Sequence, residues 1–564
     1  MAGWMPAGRY VHVYVLLDAD QRQRAQQNSQ MQTHRPSLVS TAPRASTMAA
    51  DEDFTSKFFA HVDENVPLYI SRLAEAVAIP SVSSDLPNHL PDIEKMIEWC
   101  KDHITNLGGT AELLPNPSAT KDGPLPPILL GTFLAKEDAD TKKTVCVYGH
   151  LDVQPAKMED GWTSDPFTLT ERDGKLYGRG STDDKGPALS WLWIVEAHRK
   201  LGVDLPVNIK ILYEGMEESG SAGMFEAIRD LSRDGQFLND VDFFCISDNY
   251  WLGKTKPCLT YGLRGMAYFQ VGIRCCEQDL HSGVLGGTVH EGMTDLVQLM
   301  ASLVDSSGKI LVDGVMDDVA EVSEEESALY DSIEFDMEAY KEESKVKSVS
   351  DKLLHSDKKS LLMARWRYPT LSLHGIEGAF SGAGAKTVIP AEVLGKFSLR
   401  LVPDQEPAKI EKAVKAHLEK VFSGLNSPNK MRVEMIHGAK AWLSDPNHPN
   451  YEAAAKAIER VYGSKPDYTR EGGSIPITGF LEDATGMNVC LLPVGACDDM
   501  AHSTDEKYNK SNLINAIKVL GLYLHELGAI KGPKPSLCRC VPLTEEELMI
   551  PGAFLKGFKC KCEL

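Results

Sequence analysis

Features that mark several other classes of protein are scarce in this sequence. The longest unbroken apolar run near the N-terminus is residues 13–17, far below the roughly 20 residues that a membrane-spanning helix needs. Cysteine is sparse, with 12 in 564 residues, which excludes a small module held together by disulfides. These two absences predict a soluble chain with reduced thiols, and therefore a cytoplasmic location.

Positive charge is also in short supply. Lys and Arg total 59 against 80 for Asp and Glu, a net charge of −21. Nucleic acids and anionic membranes bind basic surfaces, so this balance argues against both as main partners. The chain is otherwise of ordinary globular composition, with 43% hydrophobic and 25% charged residues, and its length favours two domains plus tails.

The N-terminal tail, residues 1–50, differs from the body of the chain. It contains five arginines and no lysine, a composition that suits either a transit peptide or a disordered or non-native tail. We favour the second interpretation, because Met48 opens an acidic stretch that looks like a natural start.

The C-terminal tail, residues 532–564, follows a Gly-Pro breaker and loses periodicity. Its two C-x-C pairs, Cys538/Cys540 and Cys560/Cys562, offer four thiolates. They are consistent with a structural zinc site, but the spacing carries little information, and we favour free thiols.

Between the tails, β-rich runs alternate with helical ones. TVCVYG (144–149), VNIKILYEG (207–215) and DFFCISDN (242–249) are typical of strands, and a helical pattern runs over residues 187–201. This alternation predicts an α/β fold with a mixed, largely parallel sheet flanked by helices. The pattern changes to α+β in the middle of the chain and then returns. We therefore predict a discontinuous α/β domain, 51–259 and 439–531, with an inserted α+β domain at 260–438.

Acidic and imidazole residues follow these strand-like runs at several points. Open α/β sheets bind ligands beyond the carboxyl ends of their strands, so side chains at such points are expected to meet in one crevice. The residues concerned are His150, Asp152, Asp183, Asp184, Glu217, Glu218, Asp248 and His502.

A crevice that holds Asp183, Glu218 and Asp248 needs a metal, because cations remove the repulsion among three carboxylates. Imidazole and carboxylate ligands without cysteine favour zinc, manganese or cobalt. Two divalent ions, three carboxylates and one bridging hydroxide are formally neutral together. The sequence thus predicts two ions that activate a shared water and polarise the carbonyl that it attacks.

Two of the clustered residues have a predicted role other than binding metal. Asp152 lies two positions after His150 and is placed to accept the other ring N–H of that imidazole. Glu217, beside Glu218, is placed to take the proton of the bridging water and pass it to a leaving amine. Considered singly, Asp152 is better interpreted as a turn carboxylate and Glu217 as a surface acid.

A resemblance to a known group of enzymes rests on longer strings of residues. These are YGHLDVQPA, YGRGSTDDKGP, YEGMEESGS, ISDNYWL, HSGVLGG, RWRYPTLSLHGIEGAFSGAGAKTVIP and the segment from Ala501 to Ser503. From about residue 55 to 530 the chain resembles the di-metal peptidases of the aminoacylase, carboxypeptidase and carnosinase clan. Within that clan it is most similar to the cytosolic non-specific dipeptidases of the carnosine dipeptidase group.

The resemblance implies a role for each clustered residue. Asp183 would bridge both ions, His150 and Asp248 would complete one site, and Glu218 and His502 the other. Glu217 would be the general base, with Asp152 behind His150. The resemblance further implies a cis peptide bond between Asp183 and Asp184.

The same resemblance implies how substrate is held. The inserted domain would be a lid that also forms a homodimer and sends His281 and Thr387 into the partner's site. Arg400 would grip a free carboxylate and Glu471 the substrate ammonium, so that very short peptides are selected. His437 and Ser474 complete the implied substrate cradle.

The expected activity is hydrolysis of dipeptides such as Cys-Gly, with two Mn or Zn ions per subunit. An N-acyl-amino-acid hydrolase that uses the same ions is an alternative. A second alternative is a binding or scaffold protein that kept the fold but lost catalysis. Loss of catalysis in evolution usually removes a metal ligand or the general base, and neither is missing from this sequence.

Overall fold

A computed structural model describes residues 45–121, 123–343, 346, 349–350, 352–531, 539–542 and 558–561. Its contacts divide the chain into two units, Met1–Phe54 and Thr55–Leu564. Most of the predicted N-terminal tail lies outside the described residues, and the part that is described, residues 45–50, is helical. Cys538 and Cys562 also lie outside them, so the interpretation of the C-x-C pairs stays a prediction.

Helices and strands alternate through much of the described part of the chain. In chain order, the helices are α1 (Ala45–Glu64), α2 (Val66–Val77), α3 (Leu86–Asn106), α4 (Lys185–Leu201), α5 (Met224–Leu231), α6 (Ser282–Leu285), α7 (Gly292–Ala301), α8 (Glu324–Ser332), α9 (Met337–Glu343), α10 (Lys358–Trp366), α11 (Pro407–Gly424), α12 (Pro449–Tyr462), α13 (Pro476–Thr485) and α14 (Lys510–Gly528). The strands are β1 (Thr110–Leu114), β2 (Ile128–Phe133), β3 (Thr144–His150), β4 (Thr170–Arg172), β5 (Lys175–Tyr177), β6 (Asn208–Glu214), β7 (Phe243–Ile246), β8 (Cys258–Leu263), β9 (Gly265–Arg274), β10 (Leu280–His281), β11 (Thr370–Glu377), β12 (Val388–Ile389), β13 (Glu392–Leu401), β14 (Lys430–Ala439), β15 (Trp442–Leu443), β16 (Asp467–Glu471), β17 (Val489–Leu491), β18 (Lys507–Asn509), β19 (Arg539–Pro542) and β20 (Phe558–Lys561).

The largest sheet has the order β1-β2-β6-β3-β7-β17-β8-β15, with β16 also paired to β8. Its centre is parallel, because β3 pairs in parallel with β6 and β7, and β7 with β17. Strands β3, β6 and β7 are buried along their whole length, as expected of strands covered on both faces. The predicted mixed, largely parallel sheet flanked by helices is confirmed.

Helix α4 shows how sequence and packing agree beside this sheet. It packs on β3 and against α14, and most of its residues are buried, including Trp191 and Trp193. The helix ends at Gly202, whose φ of 69° is the left-handed conformation that closes many helices. The loop before α4 carries Asp183, so this packing anchors one side of the crevice.

A second sheet lies in the middle of the chain and is fully antiparallel, in the order β11-β13-β9-β14. It has a core of its own, in which Phe269 and Phe397 stack and Leu299 of α7 and Leu418 of α11 are buried. Strand β11 is an edge strand, and most of its residues are exposed.

One class of helix is missing from the part of the chain that the structure describes. None of its helices is both long and apolar enough to cross a membrane.

Candidate metal centre

Five side chains from separate parts of the chain meet at one end of the large sheet. They form two groups that share Asp183: His150, Asp183 and Asp248 in one, and Asp183, Glu218 and His502 in the other. In each group the ligand atoms all lie within 4.8 Å of one another. The structure therefore brings together all five residues that the sequence pointed to as ligands.

The two carboxylate oxygens of Asp183 face different groups. Oδ1 lies 3.1 Å from Nε2 of His150, and Oδ2 lies 3.2 Å from Nε2 of His502. On the first side, Nε2 of His150 is also 3.5 Å from Oδ2 of Asp248. On the second, Nε2 of His502 is 2.9 Å from Oε2 of Glu218. The two oxygens of Asp183 thus contact different groups of candidate ligands.

Parallel strands bring only part of this centre together. His150 ends β3, Glu218 lies in a short 3-10 turn, Glu217–Ser219, that follows β6, and Asp248 follows β7. The positions of Asp183 and His502 differ from the sequence prediction, which placed every member of the cluster at the end of a strand. Asp183 lies in the loop between β5 and α4, and His502 in the loop between β17 and β18.

Backbone geometry in these two loops is unusual. The peptide bond between Asp183 and Asp184 is cis, as the resemblance implies. Met500, His502 and Asp505 have φ values of 61°, 56° and 56°, a left-handed conformation that is uncommon for residues other than glycine. The second loop is therefore held in place by its surroundings.

Asp152 has a different main contact from the predicted one. Nδ1 of His150 is 3.1 Å from the main-chain carbonyl of Asp152 and 3.5 Å from its carboxylate. The carboxylate instead accepts the backbone N–H groups of Glu217 and Glu218, at 3.2 and 3.1 Å. Asp152 thus orients the predicted base and one predicted ligand as well as the imidazole.

The electrostatics of the cluster are those of a site with too much negative charge. Hydrogen bonds to Asp183 and Glu218 raise the pKa of His502 to about 11. Burial opposes protonation of His150, but the charge of Asp248 and contacts with Asp152 and Asp183 raise its pKa well above the usual value. Burial raises the pKa of Asp248 and of Glu218. Shifts in these directions mark a cluster of like charges, which divalent cations would stabilise.

The donor set fits a divalent metal. Imidazole nitrogens and carboxylate oxygens converge on two points, with no cysteine among them. This set of ligands suits zinc or manganese better than an ion that prefers thiolate ligands. His150, Asp183 and Asp248 would hold one ion, and Asp183, Glu218 and His502 a second.

Glu217, the predicted general base, lies beside the cluster. Burial raises its pKa well above the usual value, and the charges of Asp248, Asp152 and Glu218 add to the rise while His150 opposes it. A carboxylate with a raised pKa is better matched to proton transfer near neutral pH than an ordinary one.

The predicted substrate residues are brought together only in part. Nη1 of Arg400 donates to Oγ of Ser474 at 3.2 Å, and Glu471 lies three residues earlier, where Nη2 of Arg365 is 3.7 Å from its Oε1. Burial lowers the pKa of Arg400, and the charge of Glu471 opposes that shift.

The other three predicted substrate residues are exposed. His437 lies on β14 opposite Tyr268, where the register shifts. His281 accepts the backbone N–H of Gly283, and the carbonyl of Thr387 accepts the backbone N–H next to His281. Among the described residues, the hydrogen bonds of this segment do not join it to the metal cluster.

Several polar groups that hold the site were missed by the sequence reasoning. Gln154 donates to Glu218 through both its backbone N–H, at 3.2 Å, and its side-chain amide, at 2.8 Å. Nε of Arg264 donates to the carbonyl of Gly472 at 3.1 Å and so supports the segment that carries Ser474. Gln154 belongs to the HLDVQ string and could have been suspected from its spacing, whereas nothing in the sequence marks Arg264.

Comparisons with known proteins show which proteins this chain resembles. Residues 146–526 match the family model described as Peptidase family M20/M25/M40. The Cys-Gly metallodipeptidase dug1 of Schizosaccharomyces pombe is 48% identical over 478 residues, which cover 84% of this chain and 98% of the relative. The Beta-Ala-His dipeptidase of Homo sapiens is 45% identical over 479 residues, covering 84% and 93%. A solved structure of the dipeptidase Dug1p from Saccharomyces cerevisiae is similar with a TM-score of 0.77 and 45% identity, covering 85% of this chain and 99% of that one.

Proposed function

The chain belongs to peptidase family M20/M25/M40, and on that premise we propose that it is a metallopeptidase that hydrolyses the peptide bond of dipeptides. The observation that carries the proposal is the pair of ligand groups that share Asp183. The names of its relatives, Cys-Gly metallodipeptidase and Beta-Ala-His dipeptidase, indicate dipeptides as the substrate class.

For the metal we propose two divalent ions per subunit, Mn or Zn. One would be held by His150, Asp183 and Asp248, and the other by Asp183, Glu218 and His502. Such ions, when bound, acidify water and polarise a carbonyl that is to be attacked. The proposal of two ions is supported by the contacts of the two Asp183 oxygens with different imidazoles.

For the base we propose Glu217. Its carboxylate would take one proton from the attacking water and deliver it to the nitrogen of the departing amine, so that the C–N bond breaks as a neutral amine leaves. Two features support this role. Asp152 holds the backbone of Glu217 beside Glu218, and burial keeps the Glu217 carboxyl ready to carry a proton by raising its pKa.

For the substrate we propose that Arg400, with Ser474, grips the free carboxylate and that Glu471 pairs with the free ammonium. A guanidinium recognises a carboxylate through two parallel hydrogen bonds. If both ends of the substrate are bound, only a very short peptide fits between Arg400 and Glu471. His437 is assigned to the same cradle on the resemblance alone.

We also propose that the chain is divided into a catalytic domain and a lid domain. Residues 51–259 and 439–531 would form the catalytic domain, and 260–438 a lid that forms a homodimer and supplies His281 and Thr387 to the partner's site, where His281 supports the developing oxyanion. The separate core of the second sheet and its exposed edge strand, β11, support this division. A cytoplasmic location is proposed from the composition and the sparse cysteines.

An N-acyl-amino-acid hydrolase is the second candidate. Glu471 favours a free ammonium over an acylated amine, and that carboxylate is the reason we prefer the dipeptidase. A binding protein without activity is disfavoured because the five ligands, Asp152 and Glu217 are all present.

The test is a metal analysis coupled to a substrate panel. Purified chain should contain two ions and cleave Cys-Gly and other dipeptides but not their N-acetylated forms, and a chelator should abolish the activity. Glu217→Gln should keep the metal and lower kcat by about 10²-fold or more, while the exposed Glu112→Gln should behave as wild type. Faster cleavage of N-acetylated substrates would favour the second candidate, and normal turnover by Glu217→Gln would reject its role.

Shared sites have a separate test. Chains carrying His281→Ala and chains carrying Glu217→Gln should each be poorly active, and mixing them should restore activity, because a mixed dimer contains one site with both residues intact. No recovery, with mixed dimers demonstrated by mass, would contradict a contribution from the partner subunit.

A further inference from the structure

A fully buried carboxylate, Glu506, joins the two loops that carry Asp183 and His502. Its Oε2 accepts from Nη1 of Arg179 at 2.7 Å and from the backbone N–H of Gly180 at 3.0 Å. Its Oε1 accepts from the backbone N–H of Thr182 at 3.1 Å and of Asp183 at 3.2 Å. Four donors from one loop therefore converge on one side chain of the other.

A second carboxylate makes a similar link on the other side of His502. Asp499 is also fully buried. Its Oδ2 accepts from Oγ1 of Thr182 at 3.0 Å and from the backbone N–H of Ala496 at 2.9 Å, and its Oδ1 from Nζ of Lys507 at 2.6 Å. His502 thus lies between two acids that both hold the segment ending at Asp183.

His502 is less enclosed than His150, although Nη2 of Arg179 also donates to the carbonyl of the next residue, Ser503, at 3.1 Å. The side chain of His502 is 58% exposed, whereas that of His150 is completely buried. Packing cannot set the position of a side chain that is mostly in solvent. Its location relative to Asp183 therefore depends on how the ends of its loop are held.

We propose that Glu506 is a positioning residue that fixes the distance between Asp183 and His502 and thereby sets the affinity of the ion that these two residues and Glu218 share. The proposal rests on the proposed function only in requiring that metal binds. Residues that hold metal ligands in place typically change metal affinity by 10–100-fold when they are removed.

The substitution Glu506→Gln isolates this role because it keeps the volume of the side chain. A glutamine has one acceptor oxygen and an NH₂ group that can only donate. Whichever way the amide is turned, two of the four donors lose their acceptor and face another donor. The loops are then free to separate without a cavity having been created.

The experiment is a titration of metal-free protein with Mn²⁺, followed by calorimetry. His502→Ala first identifies which binding step belongs to the shared group of Asp183, Glu218 and His502. In Glu506→Gln we expect that same step to weaken by about 10–100-fold and the other by less than about threefold. Activity should recover as Mn²⁺ is raised, with kcat at saturating metal close to wild type.

The matched control is Asp295→Asn, another buried carboxylate, which accepts from Nδ2 of Asn429 at 2.7 Å beside the second sheet. It should lower thermal stability without changing either binding step. Glu506→Asp, which keeps the charge but shortens the side chain, should weaken the same step by a few-fold and keeps the proposal testable if Glu506→Gln does not fold.

The outcomes separate this inference from the proposed function. If wild-type protein binds no Mn²⁺ or Zn²⁺, both fail. If wild type binds two ions and Glu506→Gln binds them equally well, only the role of Glu506 fails. A loss of affinity in Asp295→Asn as large as that in Glu506→Gln would also overturn it, because the effect would then follow from general destabilisation.

Discussion

The two sides of the metal centre are built in different ways. His150 ends a fully buried strand of the large sheet, and Asp248 follows another. His502 lies on an irregular loop that is attached through buried carboxylates. One half of the centre thus depends on sheet packing and the other on a few hydrogen bonds, so the two halves should respond to different substitutions.

The largest effect is expected where the halves meet. Asp183→Asn removes the charge that both groups share, and kcat/KM should fall by about 10³-fold or more because the two groups act as a unit. Both binding steps for metal should weaken in the same titration. Asp313→Asn, at an exposed position, should change neither, and a loss of only one step would mean that Asp183 does not bridge.

The strand-built half is best tested through its packing. Leu212→Ala empties a fully buried position on β6 and should lower the free energy of unfolding by about 2–5 kcal/mol. Met500→Ala, in the loop that carries His502, changes a partly exposed side chain and should stay within about 0.5 kcal/mol. Urea unfolding monitored by circular dichroism measures the free energy of unfolding of both variants. Equal losses in the two would show that the two halves of the centre do not differ in how they depend on packing.

Asp152 contacts one candidate ligand of each group, His150 and Glu218, and should give a smaller effect. Asp152→Asn leaves one acceptor for the backbone N–H groups of Glu217 and Glu218, so kcat should fall by about 10–100-fold. Asp160→Asn, in an exposed turn, is the matched control. A fall in stability with unchanged kcat would show that Asp152 only supports the fold.

The smallest effect concerns pH and lies away from the metal. Nε2 of His198 in α4 is 3.0 Å from Nε2 of His525 in α14. Burial lowers the pKa of His198, and burial together with the charges of His198 and Arg460 lowers that of His525 to about 3. The unfolded chain, with an ordinary histidine pKa near 6.5, therefore binds more protons as pH falls from about 6.5 towards 3, and stability is lost in that window.

The corresponding measurement is the free energy of unfolding at pH 7 and pH 5. Wild type should lose about 1–2 kcal/mol from this pair, and His525→Gln, which can still donate to His198, should lose less. His290→Gln, at an exposed position, should keep the wild-type slope. An unchanged slope in His525→Gln would show that the pair is not what titrates.

Much of this molecule could be predicted from the sequence. The strand predicted at 144–149 is Thr144–His150, and the helix predicted over residues 187–201 is Lys185–Leu201. Buried parallel strands and amphipathic helices leave periodic patterns, so these elements are visible without coordinates. The candidate ligands were visible from their residue types and from the motifs that carry the family resemblance, although only His150, Glu218 and Asp248 lie directly at the ends of strands of the large sheet.

Other parts could not be predicted. The backbone N–H groups that the Asp152 carboxylate accepts were missed, because a sequence does not show which backbone N–H lies within reach of a carboxylate. Glu506 was missed altogether, since a glutamate among Asp505, Lys507 and Asn509 looks like a solvent-exposed acid. Only the fold buries it against Gly180 and Thr182.

The sequence by itself determined the chemistry of this protein: which side chains can bind a cation, which can move a proton, and which segments become strands and helices. Those properties belong to individual residues and to short-range periodicity. The tertiary structure alone decided that Asp183 faces two groups at once and that Glu506 joins the loops on either side of them. Distances between residues more than 300 positions apart depend on the packing of the whole sheet and its helices, and no local pattern records them.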